Sequence, residues 1–219
     1  MKKSPESIGL PLIREACVES FREAVKAQEL GAERIELCAR LDLGGTTPSY
    51  ALIESVRKNL HIPVMVMIRP RGGNFTYDQM ELKIMRQNIE MCKQMGIHGV
   101  VFGFLEESGE IDTNLTRDFV RKAYPLEVTF HKAVDETSDP VAAIERLKEI
   151  DGITRVLSSG GAATAFEGAS VLNRMISAAE GRLIILAGGK VTRENLGEIA
   201  GIIRTNEFHG TKIVGLLNG

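Results

Sequence analysis

Short apolar runs alternate with longer amphipathic stretches along nearly the whole chain. The runs cover residues 14–19, 34–39, 63–70, 99–105, 126–132, 155–160, 183–189 and a brief 207–209. Several are rich in Val and Ile without strict alternation, as expected for parallel strands covered on both faces. Helical periodicity fills residues 19–30, 49–60, 78–95, 114–124, 139–150, 166–179 and 192–204. In the third of these, Leu82, Met85, Ile89 and Cys92 recur on one face. Gly31, Gly96 and Gly152 end helical stretches shortly before an apolar run, where a residue able to take positive φ is favoured. Eight strands alternating with seven helices predict an α/β fold, a parallel TIM-type (β/α)8-like barrel without its eighth helix, over an open doubly wound sheet. Residues 1–10 are expected to be a flexible arm and residues 11–219 a single barrel domain.

Composition narrows the function classes more than the fold. The net charge of −2, with both signs mixed along the chain, offers no basic block for nucleic acid or an anionic membrane. No apolar run reaches the roughly 18 residues of a membrane span, and Lys2 and Lys3 are not followed by a signal-peptide core. Three cysteines, Cys17, Cys38 and Cys92, form no disulfide pattern and fit a reducing cytoplasm.

In such a barrel the strand-to-helix loops form the functional face, and strand parity decides which side chains reach it. Glu15 and Cys17 share a side of the first strand, Glu36 and Cys38 of the second, Met65, Met67 and Arg69 of the third, and Thr129 and His131 of the fifth. The mouth is therefore expected to hold Glu36, Arg69 and His131, with Glu15 deeper and Asp135 nearby. Buried charges need partners, so these groups are expected to bond to one another. A carboxylate, a guanidinium and an imidazole around one cavity suit a small anionic metabolite and proton transfer; a polar plug closing the barrel is the bland alternative. Arg71, Ser159, Gly160, Gly188 and Gly189, in loops after strands three, six and seven, are candidate anion-binding groups. The loop at Ser158–Gly161 lacks the Gly-x-Ser-x-Gly elbow of a serine hydrolase. His209 ends the eighth strand, where it either joins the pocket or stays apart from it, whereas His61 and His98 belong to the opposite end.

Five segments carry a resemblance: Arg34-Ile35-Glu36-Leu37-Cys38, Gly44-Gly45-Thr46-Thr47-Pro48-Ser49, Met67-Ile68-Arg69-Pro70-Arg71-Gly72-Gly73, Val128-Thr129-Phe130-His131-Lys132-Ala133 and Glu207-Phe208-His209. Over about residues 14 to 210 the chain closely resembles the CutC copper homeostasis family. The resemblance implies a TIM-like barrel, a cytoplasmic homo-oligomer and a role in copper handling. It places Cu(I) ligands on Cys17 and Cys38, with Glu36, Arg69 and His131 in the adjoining pocket. The chain departs from the family pattern at Lys132 and Val134 and at Ala187-Gly188-Gly189-Lys190. Two functions follow. One is a non-enzymatic protein that binds Cu(I), supported by soft sulfur donors. The other is an enzyme acting on a small anionic, phosphorylated metabolite through Glu36, Arg69 and His131. A barrel alone cannot choose between them.

Overall fold

The computed structural model describes residues 11–217; the arm expected at residues 1–10 lies outside them. Eight parallel strands close into one barrel in sequence order. They are β1 (Ile13–Val18), β2 (Arg34–Leu37), β3 (Val64–Met67), β4 (Gly99–Phe102), β5 (Glu127–Phe130), β6 (Ile153–Ser158), β7 (Ile184–Ala187) and β8 (Glu207–Gly210). Seven helices cover them: α1 (Phe21–Glu29), α2 (Tyr50–Asn59), α3 (Gln79–Gln94), α4 (Thr113–Ala123), α5 (Pro140–Leu147), α6 (Ala169–Ala179) and α7 (Leu196–Ile202). No helix follows β8 among the described residues. None of the described helices is long and apolar enough to cross a membrane.

Local chemistry fixes the joints. The Asp78 side chain accepts from the Glu81 amide while the Glu81 carboxylate accepts from the Asp78 amide, a reciprocal cap that starts α3. Pro140 opens α5 behind Asp139, whose carboxylate accepts from the Val141 and Ala142 amides.

Parity splits the interior into two compartments. Outward-facing Ile35, Leu37, Val64, Val66, Val100, Phe102, Phe130 and Phe208 meet the apolar faces of the helices in one continuous core. Inside the barrel a separate small cluster joins Cys17, Cys38, Met65, Met67 and Val101. The remaining inward positions are mostly charged or glycine. That unusual barrel filling positions the chemistry described next.

Candidate functional site

The inward side chains of β1 and β2 build a compact sulfur–carboxylate cluster. Cys17 pairs with Glu36 across the β1–β2 ladder, and Cys38 follows two residues on, so all three point to the axis. Cys17 Sγ lies 3.3 Å from Glu36 Oε2 and 4.0 Å from Cys38 Sγ, and Cys38 Sγ lies 3.5 Å from the same carboxylate oxygen. One ligand atom from each of the three falls within 4.8 Å of the others. His209 joins from β8, its Nε2 3.6 Å from Glu36 Oε2 and its Nδ1 2.9 Å from Glu15 Oε1.

Electrostatics favours a thiolate here. The hydrogen bond with Cys38 outweighs burial, and with help from His209 it lowers the Cys17 thiol to about 5. Burial, reinforced by the Cys17 charge, pushes the Glu36 carboxyl well above the usual carboxylate range. Burial opposes charge on His209, yet Glu36, Cys17 and Glu15 together hold it well above the usual imidazole range. The Cys38 thiol is pushed up by its bond to Cys17 and by burial. A lowered Cys17 thiol beside a raised Cys38 thiol is a pair from which an incoming cation would displace the remaining proton to solvent.

Below it lies a floor of alternating charges. Arg34 bonds Glu15 and reaches Glu207 at 2.5 Å; Arg155 reaches Glu207 at 2.7 Å and Glu127 at 2.5 Å. Arg34 and His209 outweigh burial at Glu15 and lower it to about 2.

Toward the C-terminal ends, Arg69 and His131 extend the inward rows of β3 and β5. Gly103, directly after β4, stands between them, and a Cβ there would lie 2.6 Å from His131 Nδ1. Arg69 donates from Nη1 to the Leu43 and Gly45 carbonyls, each at 3.0 Å, and from Nη2 to the Gly73 carbonyl at 2.6 Å. His131 Nδ1 accepts from the Ala133 amide at 3.3 Å. Burial, then the charge of Arg69, lowers this imidazole to about 3. A cavity of about 440 Å³ opens here, walled by Arg69, Phe75, Lys132, Asp135 and Ser159 with backbone at Gly44 and Gly73.

The CutC family model matches residues 12–214. The chain belongs to the CutC family. A copper homeostasis protein cutC homolog of Homo sapiens is 44% identical over 197 residues, 90% of this chain and 72% of that protein. A family protein CutC of Histophilus somni is 45% identical over 195 residues, 89% of this chain and 80% of that one. The crystal structure of a CutC copper homeostasis protein from Streptococcus agalactiae superposes with a TM-score of 0.87 at 34% identity, covering 92% of this chain and 99% of that one.

In this CutC chain the residues expected around one pocket divide between two. Glu36 sits with the cysteines, Arg69 and His131 sit at the mouth, and the mutual bonding expected of the three is not observed. The reason is local supply: Glu36 meets thiols and His209, whereas Arg69 finds three carbonyls in its own and the β2 loop. Glu15 is deeper, in the floor. Asp135 turns to the loop after β6, where it accepts from Ser158 Oγ at 2.5 Å, the Ser159 and Gly161 amides at 2.9 Å each and Ser159 Oγ at 3.0 Å, and pairs with Lys132 at 2.9 Å. Burial opposes its charge, but Lys132 and these donors hold Asp135 below its ordinary value. The protein's own carboxylate thus occupies the candidate nest at Ser159 and Gly160, and the Gly160 amide goes to Ser158 Oγ at 2.8 Å. The Gly188 amide bonds the Ser158 carbonyl at 2.8 Å, and the Gly189 carbonyl accepts from Ala165 at 2.9 Å. Arg71 pairs with Glu81 at 2.6 Å, beside α3.

Sequence reasoning missed Arg34, Glu127, Arg155 and Glu207 and left His209 undecided. Their signal was present: Arg34 shares parity with Glu36, and Glu207 with His209.

Proposed function

We propose that the protein binds Cu(I) at Cys17 and Cys38, with Glu36 beside them, and so handles copper ions as cargo. The observation that carries this is the pair of inward sulfurs 4.0 Å apart, within the roughly 4.6 Å that two bonds of the zinc–thiolate length of about 2.3 Å can span. Two soft donors suit Cu(I), and the lowered Cys17 thiol supplies the anionic ligand such an ion needs. His209 and the floor arginines offset the negative charge gathered at the site. The relatives named for copper homeostasis support the same cargo. Three free cysteines suit a reducing compartment such as the cytoplasm. The exposed apolar side chains of Tyr50, Met80 and Leu216 are available for homo-oligomer contacts.

The test is Cu(I) titration against a competing chelator under reduction, with the parent and the Cys17→Ser/Cys38→Ser double variant. One ion per chain in the parent and an affinity at least ten-fold weaker in the variant are expected, since both strong ligands are lost. Equal affinities would remove these cysteines from copper handling.

A further inference from the structure

Three arginines are buried among the described residues: Arg34, Arg69 and Arg155. Arg34 and Arg155 each meet two carboxylates. Arg69, only 4% exposed, donates to backbone carbonyls and its charge also reaches the buried Tyr77 hydroxyl, but among the described residues no carboxylate lies within ion-pair distance of it. A buried guanidinium without an anion is costly, because carbonyl dipoles replace only part of its hydration. Its Nε–H is buried with no hydrogen-bond partner, and so is His131 Nε2. The tautomer of His131 follows from its other nitrogen: Nδ1 accepts the Ala133 amide, so the proton of the neutral ring sits on Nε2 and points away as a donor. Burial and Arg69 keep the ring neutral.

These two donors belong to one place. Arg69 and His131 flank the side-chain-free position of Gly103, and a single ring covers both. Phe75 lies 4.8 Å from the Arg69 guanidinium and 4.7 Å from the His131 ring. Phe75 and Arg69 wall the cavity together with Lys132, and His131 lies buried against Phe75, outside the cavity wall.

We propose that the mouth cavity is a second site, which receives a small oxyanion, a carboxylate or phosphate group, on the free N–H groups of Arg69 and His131. Phe75, half-buried on the loop after β3, turns aside to admit it. Lys132 and Asp135 pair with each other at 2.9 Å on the rim, so the positive charge offered to the anion is that of Arg69. Exposed Glu136 on the rim disfavours extended polyanions. The site is separate from the cysteine cluster and requires no copper.

The metal-free protein tests this directly. Inorganic phosphate and malonate are titrated separately at constant ionic strength, following thermal midpoint and the imidazole nitrogen resonances of ¹⁵N-labelled histidine. The expected result is a saturable rise in midpoint with at least one probe, accompanied by a shift of the His131 Nε2 signal. In His131→Phe the affinity should fall about ten-fold or more, as for loss of a hydrogen bond to a charged group. Arg69→Met should abolish the response; should it fail to fold, His131→Phe and the Nε2 signal decide alone. Which probe responds distinguishes a phosphate from a carboxylate ligand. No saturable response to either probe, or parent-like affinity in His131→Phe, overturns the proposal.

Discussion

At the scale of single residues, barrel parity explains most of what could be read ahead of the structure. Glu36, Cys38, Arg69 and His131 do point inward, because alternate positions on a strand share a face. Which inward groups touch was not legible, since parity says nothing about height along the axis or about loop carbonyls arriving from elsewhere. His131 gives a measurable consequence. Its folded pKa, about 3, lies below the roughly 6.5 of an unfolded imidazole. Between those values the unfolded chain binds a proton that the folded one refuses, so acid favours unfolding. Stability is intact above pH 6.5 and falls with decreasing pH by about 1.4 kcal/mol per unit from this group. His131→Phe should remove that slope in urea-melt series between pH 6.5 and 4. A variant with the parent's full slope would mean that the ring is not held neutral.

Among the elements, the β2 loop is the piece that links the mouth to the cysteine cluster. Arg69 clamps it through the Leu43 and Gly45 carbonyls. Gly45 has φ +87°, and a Cβ there would lie 3.3 Å from Cys38 Sγ. Gly45→Ala should cost about 1–2 kcal/mol from left-handed strain and also weaken Cu(I) binding by crowding the sulfur. Gly109→Ala, at φ +82° with nothing within 4 Å, is the control, with similar strain and unchanged copper affinity. Equal copper affinity in both variants would separate the loop from the cluster. The floor behaves differently. Glu207 joins Arg34 to Arg155, so Glu207→Ala leaves each of these buried cations one carboxylate instead of two and should lower unfolding stability by roughly 3 kcal/mol. A loss under about 1 kcal/mol would show the network to be as weak as surface pairs. These floor residues escaped sequence reading because their partners lie up to 173 positions apart, and only the closed register brings them together.

For the whole molecule, periodicity was enough to predict a closed barrel of eight strands and seven helices, since parallel strands wrapped by helices leave few other topologies. The division of its interior was not predictable from pattern: charge at the floor, sulfur and carboxylate in the middle, a mouth of mixed charge around Arg69 above. A soft ion bound in the middle layer also joins β1 to β2, so Cu(I) loading should raise the thermal midpoint of the parent and leave Cys17→Ser/Cys38→Ser unchanged. The most direct measurement of the central claim is X-ray absorption spectroscopy at the copper edge on the protein loaded with one Cu(I) under strict reduction. Binding at Cys17 and Cys38 predicts a first shell of two sulfur neighbours, lost in the double cysteine variant. A shell of nitrogen and oxygen alone, or a sulfur shell that survives in the variant, would contradict it.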